Sequence, residues 1–252
     1  MKIAVVGSGI SGLSAAYYLS KKHHVDLYEK EDHFGGHSHT IDLTFDKKKI
    51  SVDIGFIVFN FETYPNLINF FKENDVEIEK SNMSFSVSVD NTNFEYCGNG
   101  LKGIFSNKLN IFNFHFLKMI VEIILFYKGA EKINTTSYID QTLDDFLKSK
   151  KLSKYFINFH IIPMVAAIWS MPFEKAKNLP LSLFLDFFIN HGLFKFKDRP
   201  QWYTVTNRSK TYVNKALSNI SGEVFKNYKV EKIFRSQENV RITVGNEYLD
   251  YD

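Results

Sequence analysis

The chain has 252 residues, 44% of them hydrophobic and 23% charged, with a net charge of +3; this is an ordinary globular composition with material for one large domain or two modest ones. The small charge, with no basic block, excludes a nucleic-acid surface, and a lone cysteine, Cys97, excludes an internal disulfide framework and fits a reducing compartment. No stretch approaches the ~20 apolar residues of a membrane span, and the short apolar start running into Gly7 is not a secretory leader.

Lys2 to Val6 is a β-branched apolar run, read as a buried parallel strand. Gly7 to Gly12 is a turn, and Ile10 to Ser20, with Leu13, Ala15, Ala16 and Leu19, is a helix. Val25 to Lys30 is the second strand, completing a strand–helix–strand unit. Ile41–Phe45 and Ile50–Ile54 form a hairpin around a polar turn that holds Lys47-Lys48-Lys49. Tyr64–Asn74 is a helix. Phe85–Val89 and Thr92–Cys97 are strands joined at Asp90-Asn91, with Cys97 expected as a small buried residue. Residues 110 to 195 are mainly helical, with breaks near Asn134, Ser149, Pro172 and Asn190. Strands return at Glu223–Lys226, Lys229–Arg235, Val240–Val244 and Glu247–Tyr251. The abundance of Phe, 25 copies, is set aside as a matter of genome composition.

Gly7-Ser8-Gly9-Ile10-Ser11-Gly12 is a GxGxxG pattern that follows a strand, opens a helix, and is answered by Glu29 at the end of the next strand. Gly7 permits the turn, Gly9 lets backbone approach a pyrophosphate, and Gly12 lets helix and strand pack closely. The helix start supplies N–H groups and the positive end of its dipole for phosphates. Glu29 is placed to accept from ribose hydroxyls, and its charge disfavours a 2′-phosphate. The pattern alone means a dinucleotide; the alternative is a glycine turn without a ligand.

Two later segments, Gly35-Gly36-His37-Ser38-His39-Thr40 and Asp53-Ile54-Gly55-Phe56, resemble the extended motif of the flavin-containing amine oxidase superfamily. The resemblance implies an α/β fold: a Rossmann-like FAD/NAD(P)-binding domain with an inserted α+β substrate-side region. It also implies FAD as cofactor, held by Gly7, Ser8, Gly9, Ser11, Gly12, Glu29, Lys30, Gly35, Gly36, His37 and Gly55. By the same resemblance the backbone of Val230 meets the adenine edge, although the residues themselves say only half-buried strand. His37 stands where the family has Arg, a permanent multidentate cation, whereas a His is neutral over much of the physiological range. His37 and His39 also read as a surface-loop pair; a metal site is the poorer reading, for want of a third ligand.

A narrower resemblance runs through Asp53 to Asn60, Tyr64 to Leu67, Met83 to Ser88, Pro163 to Ser170, Asn190 to Leu193 and Asp198 to Trp202. These segments are similar to a bacterial group of NAD/FAD-binding, amine oxidase-like oxidoreductases, related to the N-terminal region of plant cyclopropane-fatty-acid synthases. Relatives continue past Asp252, so a C-terminally truncated chain, inactive by itself, is expected. They also carry a Gly-Gly-Ser-like turn where this chain has Asn207-Arg208-Ser209. The expected division is residues 1–62 with 203–252 for FAD, and 63–202 for the substrate side.

The reaction implied is hydride transfer from a substrate C–H bond to flavin. No catalytic acid, base or nucleophile stands out. Asn60 and Tyr64 are candidates near the cofactor; Trp169, Ser170, His191, Arg199 and Trp202 are candidates on the substrate side, each with a packing or capping role as its alternative. Phe112 to Phe126 is apolar over more than one helix face, read as a helix buried between domains or, more sharply, as a lipid-facing surface or alkyl-chain tunnel. A small-molecule or lipid substrate, no nucleic acid, and a cytoplasmic location with peripheral membrane contact are the corresponding expectations. An NAD-dependent dehydrogenase and a non-catalytic nucleotide-binding fragment are the rival classes.

Overall fold

A computed structural model describes every residue except 131, 134–137 and 139. In chain order the first elements are β1 (Lys2–Val6), α1 (Ile10–Ser20), β2 (His24–Glu29), β3 (Thr40–Phe45), β4 (Lys48–Asp53), β5 (Phe59–Asn60), α2 (Pro65–Glu73), β6 (Ile78–Ser81), β7 (Ser86–Ser88) and β8 (Glu95–Cys97). A helical stretch follows: α3 (Gly100–Ile104), a 3₁₀ turn (Lys108–Phe112), α4 (Phe114–Ala130), α5 (Leu143–Ser149), α6 (Lys154–Phe156), a π-helical turn (Ile157–Ile161), α7 (Ile162–Ile168), α8 (Phe173–Lys177) and α9 (Leu181–Asn190). The last elements are β9 (Trp202–Val205), α10 (Lys210–Leu217), β10 (Val224–Lys226), β11 (Val230–Arg235), β12 (Val240–Val244) and β13 (Glu247–Tyr251). This is the expected mixed α/β Rossmann-like architecture, with additional small sheets. The chain separates into two compact units, Met1–Ser81 with Gln201–Asp252, and Asn82–Pro200.

In the first unit β2 is the middle strand of a parallel sheet, with β1 on one side (Lys2↔His24 to Val6↔Tyr28) and β10 on the other. Residues Val25 to Glu29 are all buried, which is why β2 reads as a continuous run rather than an alternating one. The charged exceptions are Glu29, at the strand's end, and Asp26. The Asp26 carboxylate accepts from Glu223 N at 2.9 Å and Tyr251 Oη at 2.9 Å. Tyr251 also meets Tyr28 hydroxyl to hydroxyl at 2.6 Å, so the antiparallel sheet β11-β12-β13 is tied to the parallel one. Helix α1 buries Leu13, Ala16 and Tyr17. The hairpin β3–β4 closes through Asp46-Lys47, both left-handed at φ 47 and 61, as a two-residue primed turn requires. The chain therefore turns at 46–47, and Lys48 and Lys49 already belong to β4.

The first unit runs on to Ser81, past the boundary expected at residue 62. Ile68, Phe70 and Phe71 of α2 share a core with Val5, Leu13, Val25, Leu27 and Tyr212, and β6 pairs with β9 across Ile78↔Val205 to Ser81↔Trp202. Helical periodicity shows that residues 64–74 have an apolar face, but not which sheet receives it. Strands as short as β5 leave no alternating pattern to read.

In the second unit the phenylalanines set aside by composition fill the core: Phe116, Phe146, Phe156, Phe184, Phe188 and Phe194 are all nearly inaccessible. The β7–β8 hairpin forms as expected, and helices end at Ser149 and Asn190; the break expected near Asn134 lies outside the described residues. Cys97 is half-buried rather than buried, and free. Helix runs from Lys154 to Ile168 through Pro163. The π-helical turn just before Pro163 changes the hydrogen-bond spacing where a proline lacks its N–H.

That π-helical turn carries His160, which is buried. Tyr96 Oη lies 2.9 Å from Phe159 O and 2.8 Å from His160 Nδ1, and Tyr127 Oη lies 2.8 Å from Nε2. Tyr96 has one proton and spends it on the carbonyl, so it accepts from Nδ1–H, and Nε2 accepts from Tyr127. Burial moves His160 from 6.5 down to about 3. Between those values the unfolded chain binds a proton that the folded one refuses, so stability is lost as pH falls through that window, by up to ~1.4 kcal/mol per pH unit. Urea midpoints of wild type and His160→Gln, followed from about pH 7 to about pH 4, should show the flatter dependence in the variant; equal slopes would contradict a buried neutral imidazole.

Candidate functional site

The site grows from the end of β1. Gly7, at φ +93, leaves the strand while its N–H still bonds Tyr28 O at 2.7 Å. Ser8 is fully buried. Its N and Oγ donate to Glu29 Oε2 at 2.8 and 2.6 Å, and its Oγ accepts from Gly35 N at 3.1 Å. One serine thus joins the first glycine turn, the acid that ends β2, and the second glycine turn. Gly9 forms a parallel bridge with Gly35, and a Cβ on Gly36 would stand 2.9 Å from Gly9 Cα. At Gly12 a Cβ would stand 1.9 Å from Gly7 O, whereas Cβ positions at Gly7 and Gly9 face open space. Close packing demands glycine at 12 and 36; at 9 the missing side chain leaves room.

The electrostatics suit an anion. Helix α1 has no side-chain cap and no acidic residue in its first turn, so its terminal N–H groups keep their positive potential. Burial pushes the Glu29 carboxyl up, but the hydrogen bonds from Ser8 and the Glu31 backbone outweigh it, and the net displacement is downward. Glu29 is therefore ionised at neutral pH. Oε2 holds Ser8 twice and Oε1 holds Glu31 N at 3.0 Å, so at least three of its four acceptor sites are already engaged. Gripping both ribose hydroxyls at once would require one of these bonds to give way.

The later motif segments meet through backbone. Phe56 N and Ile54 N donate to His37 O and His39 O at 2.7 and 2.9 Å, and a Cβ on Gly55 would fall 2.1 Å from His37 O. Asp53 takes Thr40 Oγ1 at 2.5 Å and Ser209 N at 3.1 Å, so this acid anchors the start of α10. Ser38 Oγ hydrogen-bonds Tyr212 Oη of α10, whose hydroxyl is pushed up to about 12 by burial. Tyr212 carries no motif signal and was missed by sequence reasoning. Asn207 and Arg208 are left-handed at φ 63 and 77, which gives a backbone reason for glycines at this turn in relatives.

The remaining candidates separate. Ser11 and His37 are exposed at the turns. Lys30 pairs with Glu31 at 3.2 Å on the surface, His39 stacks on His33 with ring centroids 3.7 Å apart, and Val230 opens β11 opposite Val244. Asn60 lies fully buried on β5, paired with Trp202 of β9. Its Oδ1 accepts from Glu62 N and Thr63 N at 2.9 Å, and its Nδ2 has no partner. Tyr64 caps α2, and burial raises its hydroxyl. In the second unit Trp169 packs on Phe187 and Phe188, His191 donates from Nδ1 to Phe187 O at 2.8 Å beyond the end of α9, and Arg199 Nε donates to Lys195 O at 2.5 Å. Ser170 lines a cleft of about 740 Å³ walled by Phe85, Val87, Phe159, Pro163 and Phe173. Among the described residues no cluster of His, Cys, Asp and Glu could hold a metal, and no helix is long and apolar enough to cross a membrane.

Residues 5–73 match the model of an NAD(P)-binding Rossmann-like domain. Over 78 residues the chain is 35% identical to a 15-cis-phytoene desaturase from Synechococcus elongatus, an alignment covering 31% of this chain and 16% of that protein. Crystal structures of a putrescine oxidase and of the cyclohexylamine oxidase from Brevibacterium oxydans each superpose with a TM-score of 0.68, at 17% and 15% identity, and cover 99% of this chain and 56% of theirs. The chain thus has a mixed α/β Rossmann-like FAD/NAD(P)-binding fold, shared with these solved oxidases, and spans little more than half of their length.

The glycine geometry predicts opposite outcomes for one added methyl group. Gly12→Ala should cost about 3 kcal/mol or more by forcing helix from strand. Gly9→Ala, at φ −59 with open space around its Cβ, should stay within about 1 kcal/mol of wild type. Urea unfolding of both variants checks the pair.

Proposed function

We propose that this chain forms the nucleotide-binding part of an FAD-dependent oxidoreductase acting on a substrate C–H bond. The observation that carries the reading is the junction of the two glycine turns: Gly9 against Gly36, locked by Ser8 between Glu29 and Gly35. A dinucleotide site needs only the first turn. The second, packed on the first through Gly36 and Gly9, adds a further stretch of backbone beside the helix start, which supports FAD over a bare nicotinamide dinucleotide.

In this reading Gly9 and the α1 N-terminus hold the pyrophosphate, with Gly36 beside it. The Glu29 carboxylate takes a ribose hydroxyl, and the Gly55 segment, clamped to His37, lies near the flavin. His37 supplies a ring N–H donor where the resembling motif has arginine. A bound flavin would supply the hydride acceptor; this chain's residues position it and keep its phosphates neutralised. The second unit serves as the substrate side, and its apolar cleft favours an apolar substrate. The names of the similar proteins point to amines and to phytoene. The rival, an NAD-dependent dehydrogenase, is supported by the family model matched at residues 5–73.

An absorption spectrum after reconstitution with FAD separates the two. Bands near ~450 nm are expected of a retained flavin, and Gly9→Val should abolish them while leaving far-UV circular dichroism and the urea midpoint unchanged. No flavin retention together with saturable NADH binding would replace this reading with the dehydrogenase; normal retention by Gly9→Val would refute the role given to that glycine.

A further inference from the structure

Helix α4 is apolar on two opposite faces. One face, with Phe116, Met119, Phe126, Tyr127 and Ala130, is buried in the core of the second unit. The other repeats at helical spacing through Phe114, Leu117, Val121 and Leu125, and all four are exposed, Phe114 at 74%. The 3₁₀ turn before it extends the patch with Phe112, 86% exposed. A helix on the surface of a globular unit normally presents polar residues there, and contiguous apolar exposure of this kind marks a contact surface.

The charges around the patch indicate what the contact is. Between residues 98 and 132 the sequence has five lysines, Lys102, Lys108, Lys118, Lys128 and Lys132, against two acids, Glu122 and Glu131. Glu122 is not on offer to a partner: its carboxylate accepts from Ser153 N at 3.1 Å and from the Ser153 hydroxyl, with Lys118 3.9 Å away. Lys118 and Lys128 flank the stripe on α4, where lysine stems can lie along apolar surface with the ammonium at its edge. A second copy of this chain would bring lysines against lysines. An anionic bilayer matches both features, taking aromatic side chains into the acyl boundary and lysines at the headgroups.

We propose that the outer face of α4 and the preceding 3₁₀ turn dock this protein onto anionic lipid surfaces, lying in the interface without crossing it. The inference stands independently of the flavin reading. Co-sedimentation of the full chain with phosphatidylcholine vesicles, with and without phosphatidylglycerol, tests it. Binding is expected only to the anionic vesicles, weakening as salt is raised. Phe112→Ser with Phe114→Ser should lower partitioning by about tenfold or more, and Lys118→Gln with Lys128→Gln should remove most of the anionic preference, with urea midpoints unchanged because all four side chains are exposed. Absence of binding, binding indifferent to both pairs, or a self-association in gel filtration that the phenylalanine pair abolishes would overturn the proposal.

Discussion

Everything that makes the first unit a candidate nucleotide site depends on one buried carboxylate. Glu29 sits at the end of β2 and is held ionised by Ser8 and the Glu31 backbone. A buried charge is tolerable only when hydrogen-bonded, and satisfying Glu29 draws the first glycine turn onto β2. Ser8 then uses its remaining acceptor capacity on Gly35 N, which fixes the second turn against the first. A Ser8→Ala chain would retain the glycines and lose the agent that brings them together.

The glycines are meaningful in different ways, and sequence alone blurs the difference. Gly7 and Gly35 adopt backbone angles closed to other residues, Gly12 and Gly36 are squeezed by neighbouring backbone, and Gly9 is neither. Of these five positions, Gly9 is the one where a side chain would meet no neighbour and no forbidden backbone angle.

The strand–helix–strand start was readable because each element carried its own periodicity and punctuation, and α1 begins and ends where the pattern placed it. What was not readable depends on partners distant in sequence. The pairing of β5 and β6 with β9, the Ser38–Tyr212 bond and the anchoring of α10 by Asp53 join residues well over a hundred positions apart. Asn60 and Trp202 were placed on different sides of the chemistry by sequence, yet sit opposite each other in one small sheet. The apolar run from Phe112 to Phe126 was read as a helix buried between domains or as a lipid-facing surface; in α4 one face is buried in the second unit's core, and the other is exposed. A count of apolar residues does not reveal how many neighbours a helix will find.

The discontinuity of the first unit sets an order of events during synthesis. Strand β2 emerges early, but the strand that covers its far edge, β10, comes almost two hundred residues later, and Tyr251, which donates to Asp26, later still. In the interval the whole second unit, continuous in sequence, has left the ribosome. The nascent chain therefore carries an open β2 edge through most of its translation, the condition in which strands are most prone to edge-to-edge pairing.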